Sequence, residues 1–322
     1  KTKVNVINRR KKNLILENKQ IITYKKLIIA TGSKPVKLKT ESKNSSLLYL
    51  RDINDAEKIK SLVSSSQSVG IIGSGYIGLE VAAIAAKNNL NVHIIEREER
   101  LMSRVVCPEV SNFYQKKHEA EGVIFILNNS KLDIENIGEY HILKIENNHK
   151  IKKDTVIVGI GIKPDILLAK NAGIECKNGI TVDHNCSTSD KNIFAIGDCT
   201  SHPNKIFGDL RLESVHNAVE QAKTVASFIV KQPKPYHQVP WFWSEQYNIK
   251  LQIAGISDSY EEVVMKGVPE NEKFTVFYFK NNILIALDAI NSPKEFIMGK
   301  KLIEKKIRKS SQSFQDVIKI DN

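Results

Sequence analysis

The sequence predicts an α/β protein that ends in a smaller α+β domain. A strand, a glycine turn, a helix and a second strand follow one another in "SVGIIGSGYIGLEVAAIAAKNNLNVHIIERE", which makes a βαβ unit. The apolar runs "KLIIATG", "VIVGIG" and "IFAIGDC" each read as a strand that ends in a glycine turn. The composition then changes at Pro233–Pro235, beyond which strand-like runs dominate and a helical stretch follows them.

The stretch from Val4 to Ile29 is predicted to be β structure, because polar residues separate short apolar or alternating runs. These runs are "VNVIN", "NLILE", "QIITY" and "KLIIATG". A helix over "DINDAEKIKSLV" precedes the βαβ unit, and a second helix over "EVSNFYQKKHEAEGV" ends near Gly122. The segments "FILNNS", "LDIENI" and "YHILKIENNHKIKKDTVIVGIG" read as strands joined by Asn-rich turns.

The second half begins with a long helix and continues with strands. The segment "RLESVHNAVEQAKTVASFIVK" predicts a helix of about five turns, since Gln232 and Pro233 follow it. Strands are expected in "KLQIAGI", "YEEVVMKG" and "KFTVFYFKNNILIALDAI", where Asn281 and Asn282 form a plausible hairpin turn. A helix over "SPKEFIMGKKLIEKKI" follows.

Composition narrows the classes of function. The chain of 322 residues has four cysteines without C-x-x-C spacing, so we expect reduced thiols and no metal site. No run of ~18 apolar residues and no leader pattern is seen, which favours a cytoplasmic protein without membrane contact. The net charge of +12 fits a Lys-rich composition or an acidic protein partner. We expect no nucleic-acid partner, because no binding module is recognisable.

The loop "GSGYIG" places Gly73, Gly75 and Gly78 in G-x-G-x-x-G spacing between a strand and a helix. This spacing predicts a dinucleotide site, in which the helix N-terminus binds the pyrophosphate. Glu96 ends the second strand, where a carboxylate accepts hydrogen bonds from the ribose hydroxyls and repels a 2′-phosphate. We therefore expect NADH rather than NADPH, although Arg97 lies beside Glu96.

Two further residues of this unit admit two interpretations each. Glu80 either interacts favourably with the helix dipole as a first-turn acid or accepts a hydrogen bond from the nicotinamide carboxamide. Tyr76 is either a surface tyrosine or a ring that covers a flat cofactor.

The stretch "IFAIGDC" puts Asp198 at the carboxyl end of a strand. An open α/β sheet places there an acid that holds a sugar-like hydroxyl of a cofactor. Such an acid normally works with a glycine-rich loop early in its domain, and "GSGYIG" is the one good fingerprint in the sequence.

The order of "LIIATGSKP", the glycine loop, "VIVGIGIKP" and "IFAIGDC" resembles the two-dinucleotide flavoprotein reductases of the glutathione-reductase fold. The longer stretches "RLESVHNAVEQA", "VPWFWSEQY" and "DAINSPKEF" resemble the ferredoxin–NAD(+) reductases of oxygenase systems, the putidaredoxin-reductase group. The resemblance covers essentially the whole chain. It implies an enzyme that passes electrons from NADH through FAD to a [2Fe-2S] ferredoxin.

The resemblance also implies a domain organisation. We expect two Rossmann-like domains, the first of them N-terminally incomplete, followed by a C-terminal α+β interface domain. The FAD-binding domain would take residues 1–36 and 164–236, the NAD-binding domain 37–163 and the interface domain 237–322. The glycine loop for the FAD pyrophosphate would then be encoded upstream of Lys1.

Matching motif by motif gives the implied cofactor contacts. For FAD they are Val4, Ala30, Thr31, Gly32, Arg51, Gly197, Asp198, Glu213, Ser214, Val215, Trp241 and Trp243. For NAD they are Gly73, Gly75, Tyr76, Ile77, Gly78, Glu80, Glu96, Gly159 and Ile160. The alternative for the two tryptophans is core packing at a domain boundary, and both roles can hold at once. Val36 and Lys25 depart from the family, which usually has Arg and an acid there.

Other functions stay open at this point. A truncated, FAD-free protein that binds NAD or a partner would keep the fold without catalysis. An NADH oxidase, or a flavoprotein like apoptosis-inducing factor, would keep catalysis with another acceptor. The net charge of +12 favours an acidic ferredoxin, because opposite charges steer such encounters. The sequence does not fix the oligomeric state.

Overall fold

The computed structural model describes residues 2–39 and 46–319. Residues 1, 40–45 and 320–322, which belong to the predicted domains, lie outside the described residues. The first segment forms the predicted strands, and β1, β2 and β3 pair as an antiparallel sheet. The strands are β1 Val4–Asn8, β2 Asn13–Leu16, β3 Ile21–Thr23, β4 Leu27–Ile29 and β5 Ser33–Pro35.

The next segment contains the predicted βαβ unit and forms a parallel sheet in the order β12-β6-β7-β8, here called the central sheet. Strand β6 is almost wholly buried and therefore reads as a continuous apolar run. Strands β9, β10 and β11 form a separate antiparallel sheet. The elements are α1 Ile53–Ser65, β6 Ser68–Ile72, α2 Tyr76–Lys87, β7 Asn91–Ile95, α3 Pro108–Ala120, β8 Ile124–Ile126, β9 Asp133–Ile137, β10 Tyr140–Lys144, β11 Lys150–Lys153 and β12 Thr155–Val158.

The chain then returns to the first segment. Strand β13 pairs antiparallel with β5, and β16 pairs parallel with β4. The "ATG" turn after β4 and the "GD" turn after β16 therefore lie at the same end of two adjacent strands. The elements are β13 Ile162–Pro164, α4 Leu167–Asn171, β14 Cys176–Lys177, β15 Gly179–Thr181, β16 Ile193–Ala195, β17 Thr200–Asn204, β18 Gly208–Leu210 and α5 Val215–Ile229.

Helix α5 begins four residues later than predicted from Arg211 and has 15 residues. The Ser214 side chain accepts a hydrogen bond from the Asn217 N–H at 3.1 Å and caps the helix. Arg211 lies before this cap and forms an ion pair with Glu213. The prediction was wrong here because the periodic pattern extends past a residue that stops the helix.

The last segment is a five-stranded antiparallel sheet, the C-terminal sheet, in the order β19-β20-β23-β22-β21. Asn281 and Asn282 have φ of 49° and 60°, as a two-residue type I′ turn requires, so the predicted hairpin is confirmed. Strand β19 and helix α7 were not predicted. The elements are β19 Trp241–Gln246, β20 Ile249–Gly255, β21 Glu262–Val268, β22 Lys273–Lys280, β23 Ile283–Ile290, α6 Pro293–Glu304 and α7 Gln312–Lys319.

One hydrophobic cluster joins the C-terminal sheet to the βαβ unit. It includes Leu79 of α2, Val110 of α3 and Leu251 of β20, each fully buried. The rings of Phe113 and Phe274 meet edge to face, with centroids 5.0 Å apart. These contacts pack helices α2 and α3 against the C-terminal sheet, to which strand β19 belongs. Among the described residues no helix is long and apolar enough to cross a membrane.

Candidate active site

The glycine loop, residues 73–78, packs tightly against backbone atoms of the loop itself and of Gly159. A Cβ at Gly78 would lie 2.2 Å from the Gly73 carbonyl oxygen, and one at Gly73 would lie 2.6 Å from the Gly159 carbonyl oxygen. Gly73 also has φ of 99°, which side chains rarely adopt. A Cβ at Gly75 would meet no atom within 4 Å. The outer two glycines thus serve close packing, whereas the middle one faces open space.

Helix α2 starts at this open position without a side-chain cap. Gly75 is the N-cap residue and contributes no capping oxygen, so the first backbone N–H groups of α2 are left for another acceptor. Helix N-termini with free N–H groups bind phosphate charges. Ile77, in this first turn, is exposed, and Ile160 packs beside the apolar cluster of the central sheet.

Glu96 holds the glycine loop to the end of strand β7. One carboxylate oxygen accepts hydrogen bonds from the Ser74 backbone N–H at 2.7 Å and its hydroxyl at 2.8 Å. The other accepts from the backbone N–H groups of Arg97 at 2.8 Å and Glu98 at 3.1 Å. The acid predicted to bind ribose hydroxyls is therefore engaged by the protein's own donors, and ribose would replace some of them.

Glu80 is the fifth residue of α2 and lies beyond its first turn. The helix-dipole interpretation therefore loses its basis, because that effect is confined to the terminal turn. The Ser244 hydroxyl of β19 donates to Oε1 of Glu80 at 2.6 Å. Burial raises the pKa of Glu80, and the hydrogen bond from Ser244 acts in the opposite direction. Tyr76 is half-buried, with its ring centroid 4.8 Å from that of Phe242.

Asp198 lies in a cluster formed by three distant segments. The Ser33 hydroxyl donates to its carboxylate at 3.0 Å, and the Arg51 guanidinium lies 3.8 Å from it. Arg51 also covers Gly32, where a Cβ would lie 2.6 Å from Nη2. The "ATG" turn, Arg51 and the "GD" turn are therefore in contact.

A pocket of about 280 Å³, here called the Asp198 pocket, opens beside this cluster. Helix α5 presents its N-terminus to the pocket, and strand β19 forms the opposite wall. Five of the predicted FAD residues line it. The lining residues are Asp198, Glu213, Ser214, Val215, Ala218, Phe242 and Trp243.

Strand β19 connects the two sites. Phe242 lines the Asp198 pocket and also packs against Tyr76 of the glycine loop. Ser244 follows on the same side of the strand and reaches Glu80. The two predicted nucleotide sites therefore meet at one strand.

Some predicted residues lie outside these contacts. Val4 begins β1 and does not line the Asp198 pocket. Ala30 follows β4, and the Thr31 hydroxyl donates to the Asp165 carbonyl oxygen at 2.6 Å. The ring centroid of Trp241 is 5.4 Å from that of Trp243 and 5.6 Å from that of Phe296. This arrangement supports the packing interpretation for Trp241.

Sequence reasoning missed Ser33, Phe242 and Ser244. Ser33 gives no sequence signal, because its contact with Asp198 depends on the fold. Phe242 and Ser244 lie two residues apart, so strand periodicity would place both on one face had "PWFWSEQY" been read as a strand.

The residues present fit both cofactors. At the glycine loop, unoccupied helix N–H groups face open space beside Gly75, which suits a pyrophosphate. At the Asp198 pocket, a carboxylate, an arginine and aromatic walls match the polar chain and flat ring of a flavin. The pocket volume lies just below the ~300–1,000 Å³ of whole-ligand sites, so the pocket suits one ring system.

Residues 1–222 match the family described as pyridine nucleotide-disulphide oxidoreductase. The chain belongs to this family. Residues 241–318 of this oxidoreductase match a second family, described as the reductase C-terminal domain.

Named relatives agree with this assignment. Putidaredoxin reductase from Pseudomonas putida is 35% identical to this oxidoreductase over 310 residues, covering 94% of this chain and 74% of the relative. Rubredoxin-NAD(+) reductase from the same organism is 40% identical over 274 residues, covering 84% and 71%. The crystal structure of the covalent putidaredoxin reductase–putidaredoxin complex aligns with a TM-score of 0.91 at 32% identity, covering 99% of this chain and 81% of that one.

These findings confirm the resemblance to ferredoxin reductases, the Rossmann-like α/β fold and the C-terminal α+β domain. They also confirm that the oxidoreductase uses FAD and a pyridine nucleotide as cofactors. The preference for NADH over NADPH and the role of each site residue stay predictions.

Proposed function

We propose that this protein is a flavoprotein reductase that passes electrons from NADH through FAD to an acidic [2Fe-2S] ferredoxin, and so supplies an oxygenase. The convergence of the glycine loop and the Asp198 pocket on strand β19 carries the proposal, because hydride transfer requires the two rings to meet. FAD, when bound, accepts a hydride from the nicotinamide and releases electrons singly. The protein's own residues bind the two cofactors, align their rings and shield them from water.

On the nicotinamide side, the N-terminus of α2 beside Gly75 receives the pyrophosphate. Glu96 accepts hydrogen bonds from the ribose hydroxyls after losing part of its hydrogen bonding with Ser74. Glu80, held by Ser244, accepts from the carboxamide. Tyr76 packs on Phe242 at the entrance and moves aside when the nicotinamide enters.

On the flavin side, Asp198 accepts from the hydroxyl chain of FAD while Ser33 and Arg51 fix its carboxylate. The N-terminus of helix α5, capped by Ser214, lines the Asp198 pocket, where its dipole would stabilise negative charge on a bound flavin. Trp243 and Phe242 cover the ring and limit access of water. The FAD-binding domain of the proposed reductase comprises residues 1–36 and 164–236, the NAD-binding domain residues 37–163 and the interface domain residues 237–322. Its proposed location is the cytoplasm.

The acceptor follows from charge. A protein of net charge +12 attracts an acidic partner, and weak electron-transfer encounters respond strongly to such steering. The similarity to a rubredoxin reductase makes rubredoxin the second acceptor to examine.

The test measures NADH oxidation by the FAD-loaded protein at rising ionic strength, with an acidic ferredoxin, a rubredoxin or a neutral quinone as acceptor. We expect salt to slow ferredoxin reduction strongly and quinone reduction little, because screening acts on charged encounters. Equal salt effects on all acceptors would contradict steering. Turnover with O₂ that exceeds turnover with both iron proteins would support an oxidase instead.

A further inference from the structure

A line of four hydrogen bonds runs from Glu80 to Tyr247, the residue that follows strand β19. The Ser244 hydroxyl is 2.6 Å from Oε1 of Glu80, and Nε2 of Gln246 is 3.1 Å from that hydroxyl. Oε1 of Gln246 is 2.9 Å from Nε2 of His118. Nδ1 of His118 is in turn 2.9 Å from the Tyr247 hydroxyl.

Ionisation of Glu80 fixes the direction of every bond in this line. A carboxylate only accepts, so the single Ser244 proton points at Glu80, and Ser244 must itself accept from Gln246. The Gln246 amide is thereby oriented, and its oxygen accepts from Nε2–H of His118. Neutral His118 then carries no proton on Nδ1, which accepts from Tyr247. All four donors point toward Glu80.

The line lies within the protein, where an unmade hydrogen bond is costly. Ser244, Gln246 and His118 are each at most 1% exposed. Burial lowers the pKa of His118 to about 4, which keeps the ring neutral near pH 7. Among the described residues, the side chains of Ser244, Gln246 and His118 take their hydrogen bonds from one another and from Glu80 and Tyr247 at the two ends of the line.

Two structural elements bring these residues together. Ser244 and Gln246 are two residues apart on β19, so both face the α2–α3 side of the strand. His118 lies near the end of α3 and faces the same strand. The line therefore crosses the contact between the βαβ unit and the C-terminal sheet.

We propose that Ser244, Gln246, His118 and Tyr247 form a directional hydrogen-bond line that orients the Glu80 carboxylate for the nicotinamide carboxamide. A carboxylate has about four acceptor positions, so Glu80 retains capacity for the carboxamide N–H₂ group. Gln246 and His118 are thus positioning residues for pyridine nucleotide binding. The inference rests on the function of Glu80 proposed above.

The rival interpretation is that the line only joins α3 to β19. In that case, its loss would change stability but would not affect the nucleotide specifically. Coupling between substitutions separates the two interpretations, because residues that act through one another give non-additive effects.

The first experiment measures the Kd for NAD⁺ by calorimetry on the full chain. We expect Ser244→Ala and Gln246→Leu each to raise the Kd on the order of tenfold, because a hydrogen bond to a charged group is lost or misdirected. In the Glu80→Gln background, Ser244→Ala should add little. Ser257→Ala is the matched control: this hydroxyl also joins the C-terminal segment to the βαβ segment, at the Val105 carbonyl oxygen, but lies outside the line.

The second experiment needs no nucleotide. Nitrogen NMR of the wild-type protein should show His118 as the Nε2–H tautomer, and Tyr247→Phe should shift its Nδ1 signal. Infrared titration of Glu80, assigned by difference from Glu80→Gln, should show a further raised pKa in Ser244→Ala. Neither measurement requires a substitution at His118, which could prevent folding because His118 is buried.

The outcomes distinguish the inference from the function beneath it. If Glu80→Gln leaves the Kd for NAD⁺ unchanged, the proposed role of Glu80 is wrong. If Glu80→Gln weakens binding but Ser244→Ala adds its full effect on top, the line does not act through Glu80. An Nδ1–H tautomer of His118 would also overturn the proposed direction.

Discussion

The glycine loop and the Asp198 pocket are built in opposite ways. The loop comes from one continuous βαβ unit, in which Gly73, Gly78 and Glu96 lie within 24 residues. The Asp198 cluster and pocket take residues from β5, the segment before α1, the turn after β16, the start of α5 and strand β19. One site is local in sequence, and the other exists only once the chain has folded.

This difference separates two kinds of energetic cost. In the loop, Gly73 and Gly78 contact backbone, so a substitution at either one strains the fold before it reaches the nucleotide. Around the pocket, Asp198 faces a cavity and is held by the side chains of Ser33 and Arg51. Substitutions there should weaken cofactor binding and leave the free energy of unfolding nearly unchanged.

The largest expected effect comes from Gly78→Ala. The new Cβ would overlap the Gly73 carbonyl oxygen, since the distance is 2.2 Å. Helix α2 would have to move from β6, and we expect a loss of more than ~3 kcal/mol in the free energy of unfolding together with loss of NADH binding. Urea unfolding and NADH titration measure the two quantities.

Gly75→Ala is the matched control for that substitution. Its Cβ would meet open space, and its φ of −74° suits any residue. Stability should therefore stay unchanged while NADH affinity falls, because the methyl group occupies the path of the pyrophosphate. Equal destabilisation by both alanines would contradict the division of roles within the loop.

The second effect is the dependence of stability on pH that comes from Asp288, a buried carboxyl on strand β23. Burial raises the pKa of Asp288 to about 7, although the Tyr278 hydroxyl donates to it. In the unfolded chain this carboxyl titrates near its usual ~4, so between about pH 4 and pH 7 only the folded state keeps the proton. Stability contributed by this proton is therefore lost as pH rises through that window.

Asp288→Asn should remove this slope, which is at most ~1.4 kcal/mol per pH unit. The neutral amide keeps the shape of the side chain, so the variant should be more stable than the wild type at neutral pH. Thermal unfolding across the window measures the slope, with exposed Asp258→Asn as the control. An unchanged slope in Asp288→Asn would assign the pH dependence to other groups.

The third effect tests the pocket directly. Asp198→Ala removes a charged acceptor, and we expect a ten- to hundredfold weaker Kd for FAD, from ~1.5–3 kcal/mol per charged hydrogen bond. The melting temperature of the FAD-free protein should change little, because Asp198 is only partly buried. Asp209→Ala, an exposed acid on β18, is the control. A large drop in the melting temperature of FAD-free Asp198→Ala would contradict this expectation, because it would show that Asp198 stabilises the fold as the loop glycines do.

The same contrast explains what the sequence could predict. The βαβ unit, the hairpin at Asn281–Asn282 and the close packing of Gly78 on Gly73 depend on neighbours in sequence, so spacing and turn chemistry were sufficient to predict them. The start of α5 was mispredicted because the Ser214 cap competes with a periodic pattern. The partnership of Asp198 with Ser33 spans 165 residues and leaves no periodic signal.

Strand β19 was only partly predictable from the sequence. The resemblance identified Trp241 and Trp243, which have conspicuous side chains, and passed over Ser244 and Gln246. Their spacing of two residues would place both on one face of a strand, but the run Trp-Phe-Trp-Ser-Glu-Gln has no apolar–polar alternation that marks it as one. What the sequence lacks is the information that helices α2 and α3 pack against that side of the strand.

The smallest effect sharpens the comparison most. Ser33→Ala removes the hydroxyl that donates to Asp198 and leaves the carboxylate with Arg51 at 3.8 Å. We expect the Kd for FAD to rise about threefold to tenfold, since one hydrogen bond contributes ~1 kcal/mol. Ser33→Thr keeps the hydroxyl and should restore most of the affinity. If alanine and threonine weaken FAD binding equally, Arg51 alone orients Asp198 and the hydroxyl of β5 has no part in the site.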